Sequence, residues 1–229
     1  MGNRLEEWYR QHHAERRDDG ERIFVPERLP LFVEAVGGPG KRVLDLGCRT
    51  GAVTQSFLAG NDVVGLDIDA DALKRAAARG VTTVWGDVEE PLPFEDASFD
   101  VVVAGELLEH VRVPGGLLAE IGRVLRPDGV LVGSVPNAYR LKNRLKFLAG
   151  RPPERDPTHL RMFSPASIRL ALAPIGAADL SFVGGRFTRL HPRLFANDLV
   201  FVCRRQGAQR TRSDSAVSRR PSSSPTAAS

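Results

Sequence analysis

Val43-Leu44-Asp45-Leu46-Gly47-Cys48-Arg49-Thr50-Gly51 is the stretch on which the reading of this 229-residue chain turns. A short apolar run ends beside an acid, two glycines four apart follow, and a helix-like stretch comes next. A strand running into such a turn directs backbone N–H groups and a helix N-terminus at whatever binds above the sheet edge, which suits a nucleotide-like ligand. The glycine spacing narrows the choice. A dinucleotide site needs G-x-G-x-x-G/A, whose middle glycine lets the backbone approach a pyrophosphate. Arg49 occupies that middle position and Ala52 stands in for the third glycine, so a nicotinamide dehydrogenase is disfavoured.

Two acids downstream sharpen this. Val63-Val64-Gly65-Leu66-Asp67 reads as a second strand ending in a carboxylate, about 20 residues beyond the first acid, where doubly wound folds place a ribose-hydroxyl acceptor. A third strand, Val81-Thr82-Thr83-Val84-Trp85, leads into Gly86-Asp87-Val88, whose carboxylate could accept from an exocyclic amine of adenine. An acid before a Gly loop, then a ribose acid, then an adenine acid resembles the class I S-adenosylmethionine-dependent methyltransferases. The resemblance covers residues 41–137, with a looser echo to Arg204; where family members usually carry Gly, this chain has Arg49. It implies an α/β, Rossmann-like, doubly wound seven-stranded sheet, mostly parallel with an antiparallel C-terminal strand. It also implies S-adenosylmethionine as cofactor, bound by Asp45, Gly47, Cys48, Gly51, Asp67, Ile68, Asp87, Val88 and Glu106.

At 229 residues and 42% hydrophobic content the chain suits one domain with a single core. Its net charge of +4 sits at the end: from Arg204 onward there are six Arg and one Asp, leaving the rest at −1. A near-neutral folded part is not the footprint of an obligate nucleic-acid binder. Two cysteines, Cys48 and Cys203, are too few for a disulfide framework or a zinc site. With no bilayer-length apolar stretch and no secretory h-region, the expectation is a cytoplasmic protein without a membrane span.

Three regions are expected: N-terminal helices or a lid over 1–40, a methyltransferase domain over 41–206, and a disordered basic Ser/Arg-rich tail over 207–229. Trp8 and Tyr9 either fold over the mouth of the site or anchor an N-terminal helix on the domain. A helix is expected over 24–36, with Pro26 in its first turn. Strands are expected at 43–46, 63–67, 81–85, 99–104 and 129–135, alternating with helices at 51–58, 70–78 and 114–125, the pattern of a parallel sheet covered on both faces. Arg126-Pro127-Asp128-Gly129 reads as a turn in which Gly129 takes the positive φ. Residues 139–148 read as a basic amphipathic helix, with Leu141, Leu145 and Leu148 on one face. A prolyl loop over 150–165 leads into a helix to Leu172 capped by Ser164-Pro165. Apolar runs at 180–183 and 199–203 suit an antiparallel pair closing the sheet edge.

The fourth strand leads into Gly105-Glu106-Leu107-Leu108-Glu109-His110, at the carboxyl edge where ligands of open α/β sheets lie. In one reading Glu106 contacts the cofactor's methionine end or the sheet edge, while Glu109 and His110 hydrogen-bond each other in a helical turn. In the other, Glu-x-x-Glu-His is similar to the metal cluster of ubiquinone-biosynthesis and small-RNA 2′-O-methyltransferases. Glu106, Glu109, His110 and His159 would then hold a divalent cation such as Mg²⁺ against an acceptor hydroxyl. Without a metal, His159, with His110, is the candidate general base, set against a structural loop histidine. His12, His13 and His191 are read as surface residues. The first reading of function is therefore methyl transfer to a small-molecule acceptor, a hydroxyl oxygen foremost. RNA methylation and a catalytically inactive S-adenosylmethionine-binding regulator are the alternatives. Oligomeric state is left open.

Overall fold

In the computed structural model, residues 27–153, 156 and 158–206 are described. The expectations for Trp8, Tyr9, His12, His13, Pro26 and the 207–229 tail lie outside them. Among the described residues no helix is long and apolar enough to cross a membrane.

Seven strands form one sheet: β1 (Arg42–Leu46), β2 (Asp62–Asp67), β3 (Thr82–Trp85), β4 (Phe99–Gly105), β5 (Leu125–Pro136), β6 (Ala178–Val183) and β7 (Asp198–Arg204), in the order β3-β2-β1-β4-β5-β7-β6. The pairs β1–β2, β1–β4, β2–β3 and β4–β5 are parallel, and β7 runs antiparallel to both β5 and β6. Apolar runs without polar alternation arise because both faces are covered. Leu44, Leu66, Val102, Leu131 and Phe201 pack on one face with α3 (Pro114–Val124) and α5 (Pro165–Leu172). Val43, Val63, Val101, Val132 and Val200 pack on the other, under Phe32 and Val36 of α1 (Leu29–Val36).

Helices α2 (Ala70–Ala78) and α5 begin as their sequences predict. Asp69 caps α2 by accepting from the amides of Asp71 and Ala72. Ser164 and Ser167 make a reciprocal capping box with Pro165 in the first turn of α5.

Four local expectations are corrected. Residues 51–58 form no α-helix, only a 3₁₀ segment, Thr54–Phe57. Helix α1 starts at Leu29, with Pro30 in its first turn. Residues 126–129 are absorbed into β5 as a wide irregularity, since Leu125 pairs with Phe99 and Val130 with Val101. Asp128, not Gly129, takes the positive φ there (64°). Helix α4 (Leu141–Leu148) buries Asn143, which donates to the Ala138 carbonyl at 3.1 Å, while Leu145 and Leu148 are 56% and 81% exposed. Its apolar stripe faces out because a buried side-chain hydrogen bond sets the rotation of the helix.

Gly133 on β5 faces Phe201 of β7, and a Cβ there would lie 2.3 Å from the Ala104 carbonyl oxygen and 2.4 Å from the Phe201 ring. Gly133→Ala is expected to destabilise the fold by about 1–3 kcal/mol, as overpacking does; a shift in urea midpoint at constant m-value checks this.

Candidate active site

The site is built where β1, β2 and β4 end. The turn after β1 carries Gly47, Arg49 and Gly51 at φ of 72°, 47° and 72°. Its amides turn inward: Gly47 N–H donates to Leu66 O at 2.8 Å, Cys48 N–H to the same oxygen at 3.3 Å, and Arg49 N–H to Asp67 Oδ2 at 2.8 Å. These donors tie β1 to β2 instead of facing a ligand, and no helix N-terminus follows. That corrects the expectation of an N–H cradle, and it gives the exclusion of a pyrophosphate a geometric basis.

Cys48 is buried with its sulfur filling the space above Gly65, where a Cβ would sit 2.6 Å from Sγ. Burial, with Asp45 and Asp67 nearby, pushes its thiol far up. The side chain is therefore packing, and only the backbone of Cys48 belongs to the turn.

Asp45 and Asp67 are both buried, on neighbouring strands. Burial pushes the Asp45 carboxyl up to about 7; Thr54 Oγ1, donating at 2.6 Å, opposes this and Asp67 adds to it. Burial also raises Asp67, against the amides of Asp69 and Arg49 that occupy its two oxygens. Each of those oxygens keeps a second lone pair, so Asp67 can still accept from a hydroxyl. Ile68 accepts from Trp85 Nε1 at 2.8 Å through its carbonyl. Asp87 Oδ1 accepts from the Glu89 amide at 2.9 Å, which holds the 87–90 turn, and Val88 packs against the core. The predicted acids therefore line adjacent strand ends.

Glu106 has φ of 51° and faces a network that reading along the chain does not reveal. Arg28 pairs with it at 2.6 Å, Ser134 Oγ donates to it at 2.8 Å, and Arg28 also lies 4.0 Å from Asp198. Burial, then Glu106, pushes Asp198 up to about 7. Arg28, Ser134 and Asp198 carry no local signature; 78, 28 and 92 residues separate them from Glu106.

Glu109, His110 and His159 come together, with one ligand atom of each within 4.8 Å of the others. Glu106 is not among them, so the four-residue cluster becomes three. His110 Nδ1 lies 3.1 Å from the Thr158 carbonyl. A carbonyl can only accept, so Nδ1 carries a proton, and in the neutral ring Nε2 is the acceptor. Nε2 stands 4.0 Å from Glu109 Oε1, too far for the expected mutual hydrogen bond. The His110 and His159 rings meet edge to face at 4.9 Å. The Glu109 carboxylate is buried and neither oxygen has a hydrogen-bond partner among the described residues. Burial and Glu106 hold it protonated well above the usual carboxylate range. The Glu109 carbonyl accepts from the Leu160 and Arg161 amides and so clamps the His159 loop against the strand end. His191 is exposed, as expected.

A seven-stranded sheet in this order, carrying a row of acids at its carboxyl edge, defines a class I S-adenosylmethionine-dependent methyltransferase domain. Residues 44–133 match the methyltransferase domain family. Over 119 residues it is 39% identical to a ubiquinone biosynthesis O-methyltransferase of Hahella chejuensis, covering 49% of this chain and 50% of that protein. Over 106 residues it is 42% identical to a demethylmenaquinone methyltransferase of Renibacterium salmoninarum, covering 44% of each. The chain spans about half the length of these curated relatives. A SAM-dependent methyltransferase from Archaeoglobus fulgidus shares the fold, with a TM-score of 0.66 at 22% identity over 86% of this chain and 99% of that one.

A carboxyl that binds its proton more tightly when folded than when unfolded withdraws stability as pH rises from the unfolded to the folded value. For Asp45 and Asp198 that window runs from 3.8 to about 7. The ligand-free protein is therefore expected to melt lower at pH 8 than at pH 5.5, with Asp45→Asn and Asp198→Asn each reducing the drop; calorimetric scans at the two pH values check it.

Proposed function

We propose that this chain is an enzyme that transfers the methyl group of S-adenosylmethionine to a hydroxyl oxygen of a small-molecule acceptor. The observation that carries this reading is the juxtaposition of the acid row Asp45, Asp67, Asp87 and Glu106 with the Glu109, His110 and His159 group. Buried carboxyls whose affinity for a proton is raised by burial suit a cationic ligand bearing a sulfonium and an ammonium. Asp67 is assigned the ribose hydroxyls, Asp87 the adenine amine, Ile68 and Val88 the adenine faces, and Glu106 the methionine end. When bound, the cofactor supplies an electrophilic methyl and a neutral thioether leaving group.

What the protein itself must add is alignment and removal of the acceptor proton. His110, with Nδ1–H on Thr158 O, offers Nε2 as the proton acceptor, and His159 stands against its ring. The same three residues also fit a divalent cation. A buried carboxylate without a hydrogen-bond partner among the described residues, beside two imidazoles, is a donor set of the right kind. Bonds of about 2.1 Å place ligand atoms at most about 4.2 Å apart, which needs only a small contraction here. Thr158 O would orient His110 from the far side, as outer partners of metal-binding histidines do. Such a cation would lower the pKa of an acceptor hydroxyl.

The names of the relatives, an O-methyltransferase of ubiquinone biosynthesis and a demethylmenaquinone methyltransferase, support a small-molecule acceptor. The domain division at residues 40 and 207 is proposed with it.

The test is incubation with methyl-labelled S-adenosylmethionine and a host-cell extract, followed by separation of RNA and protein from small molecules. Label is expected in the small-molecule fraction, and label in RNA alone would overturn the reading. Asp67→Ala is expected to weaken S-adenosylmethionine binding by about 10- to 150-fold, the worth of a charge-assisted hydrogen bond of about 1.5–3 kcal/mol; titration calorimetry measures it. With the cation in place, EDTA suppresses turnover and Mg²⁺ or a similar ion restores it. Turnover indifferent to chelation assigns proton removal to the histidines alone.

A further inference from the structure

The carboxyl edge continues past the acid row into a surface of opposite character. An open groove of about 720 Å³ lies between α4, the segment 185–187 and the short helix α6 (Pro192–Phe195), within the size range of small-ligand sites. Arg140, Lys142, Lys146, Arg151 and Arg186 line it, and among the described residues no carboxylate does. Over residues 137–153 and 184–197, which build this region, there are eight Lys and Arg and no Asp or Glu. The groove also has an apolar lining, from Leu141, Leu145, Phe187, Leu194 and Phe195. Two of the cations are already engaged: Arg140 donates to Asn197 Oδ1 and acts electrostatically on the Asp198 carboxyl, and Lys146 Nζ donates to the Pro153 carbonyl at 2.9 Å. Lys142, Arg151 and Arg186 are exposed, and none has a carboxylate partner among the described residues.

Its position connects it to the site. Asp198, which pairs in register with both Pro136 and Val183, follows Asn197 of the groove directly and lies 4.0 Å from Arg28, the partner of Glu106. The groove therefore adjoins the strand ends on the side away from the proposed adenine pocket.

We infer that this groove binds an anionic amphiphile, an apolar body carrying a phosphate or carboxylate group, and that the methyl acceptor is a molecule of this kind anchored there by its charged end. The acceptor part rests on the methyltransferase reading; the groove does not. Lys142, Arg151 and Arg186, which lack carboxylate partners among the described residues, attract an anion, while exposed Leu145 and Phe187 gain from covering. A purely polar anion would leave the apolar lining wet, and a neutral lipid would leave Lys142, Arg151 and Arg186 without a counter-charge.

Dodecyl phosphate below its micellar concentration is the probe, titrated calorimetrically into the full chain. Expected is saturable 1:1 binding at least ten-fold tighter than either inorganic phosphate or neutral dodecyl maltoside. It should fall at least ten-fold in Lys142→Glu/Arg186→Glu, with melting temperature and S-adenosylmethionine affinity unchanged. The probe should also reduce small-molecule labelling in the extract assay. Undiminished binding in the variant overturns the site, as does binding only to phosphatidylglycerol vesicles or only to RNA, either of which makes the face a docking surface for that partner. Dodecyl phosphate binding by a chain that fails to bind S-adenosylmethionine overturns the acceptor assignment and leaves the groove.

Discussion

Two buried carboxylates at the ends of adjacent parallel strands are the constraint around which the site is arranged. Asp45 and Asp67 stand within electrostatic reach of each other in a place that water does not serve. Taking a carboxylate out of water is costly unless hydrogen bonds or an opposite charge replace the solvent. The chain supplies the hydrogen bonds locally: Thr54 to Asp45, and the amides of Arg49 and Asp69 to Asp67. Opposite charge is supplied to Asp67 alone, by Arg49, and burial still raises both carboxyls. A donor molecule carrying a sulfonium and an ammonium is the complement that such a site lacks, which links the turn after β1 to the chemistry proposed for it.

The turn itself shows how one residue redirects a motif. With Arg49 where dinucleotide folds carry glycine, the amides of Gly47, Cys48 and Arg49 close onto β2, and the segment beyond forms a 3₁₀ turn. An anion cradle needs free N–H groups and a helix dipole behind them. This loop uses the amides of Gly47, Cys48 and Arg49 to tie β1 to β2, so it is a poor host for pyrophosphate. Further along the same edge the sign of the surface reverses: Glu106, Glu109 and Asp198 meet Arg28, and the acid-free 137–153 and 184–197 segments follow. The acid row and the groove beside it thus differ in charge.

Much of this was legible along the chain because it depends on period and on residue type. Strand alternation with helices, the cap at Ser164 and the acids at three strand ends each arise within a few residues. Hydrophobic burial and φ preference act over that same range. The illegible parts are those decided by distant partners. Asn143 rotates α4 by bonding Ala138, which turns the Leu145 and Leu148 stripe outward. Glu106 leaves the expected metal group because Arg28, 78 residues away in sequence, takes its carboxylate. His110 faces Thr158 rather than Glu109 because the 158–161 loop is drawn onto the Glu109 carbonyl.

By itself, then, the sequence determined the parallel sheet, its covered faces, the acid row and the family these imply, since spacing and side-chain type are enough to choose a strand, a cap or a buried carboxylate. Only the tertiary structure decided which acids share a site, which histidines meet and where the basic face opens. Those outcomes follow from strand order, β3-β2-β1-β4-β5-β7-β6, which brings residues from both ends of the chain to one edge. A pattern with a period of two or 3.6 residues carries no record of that adjacency.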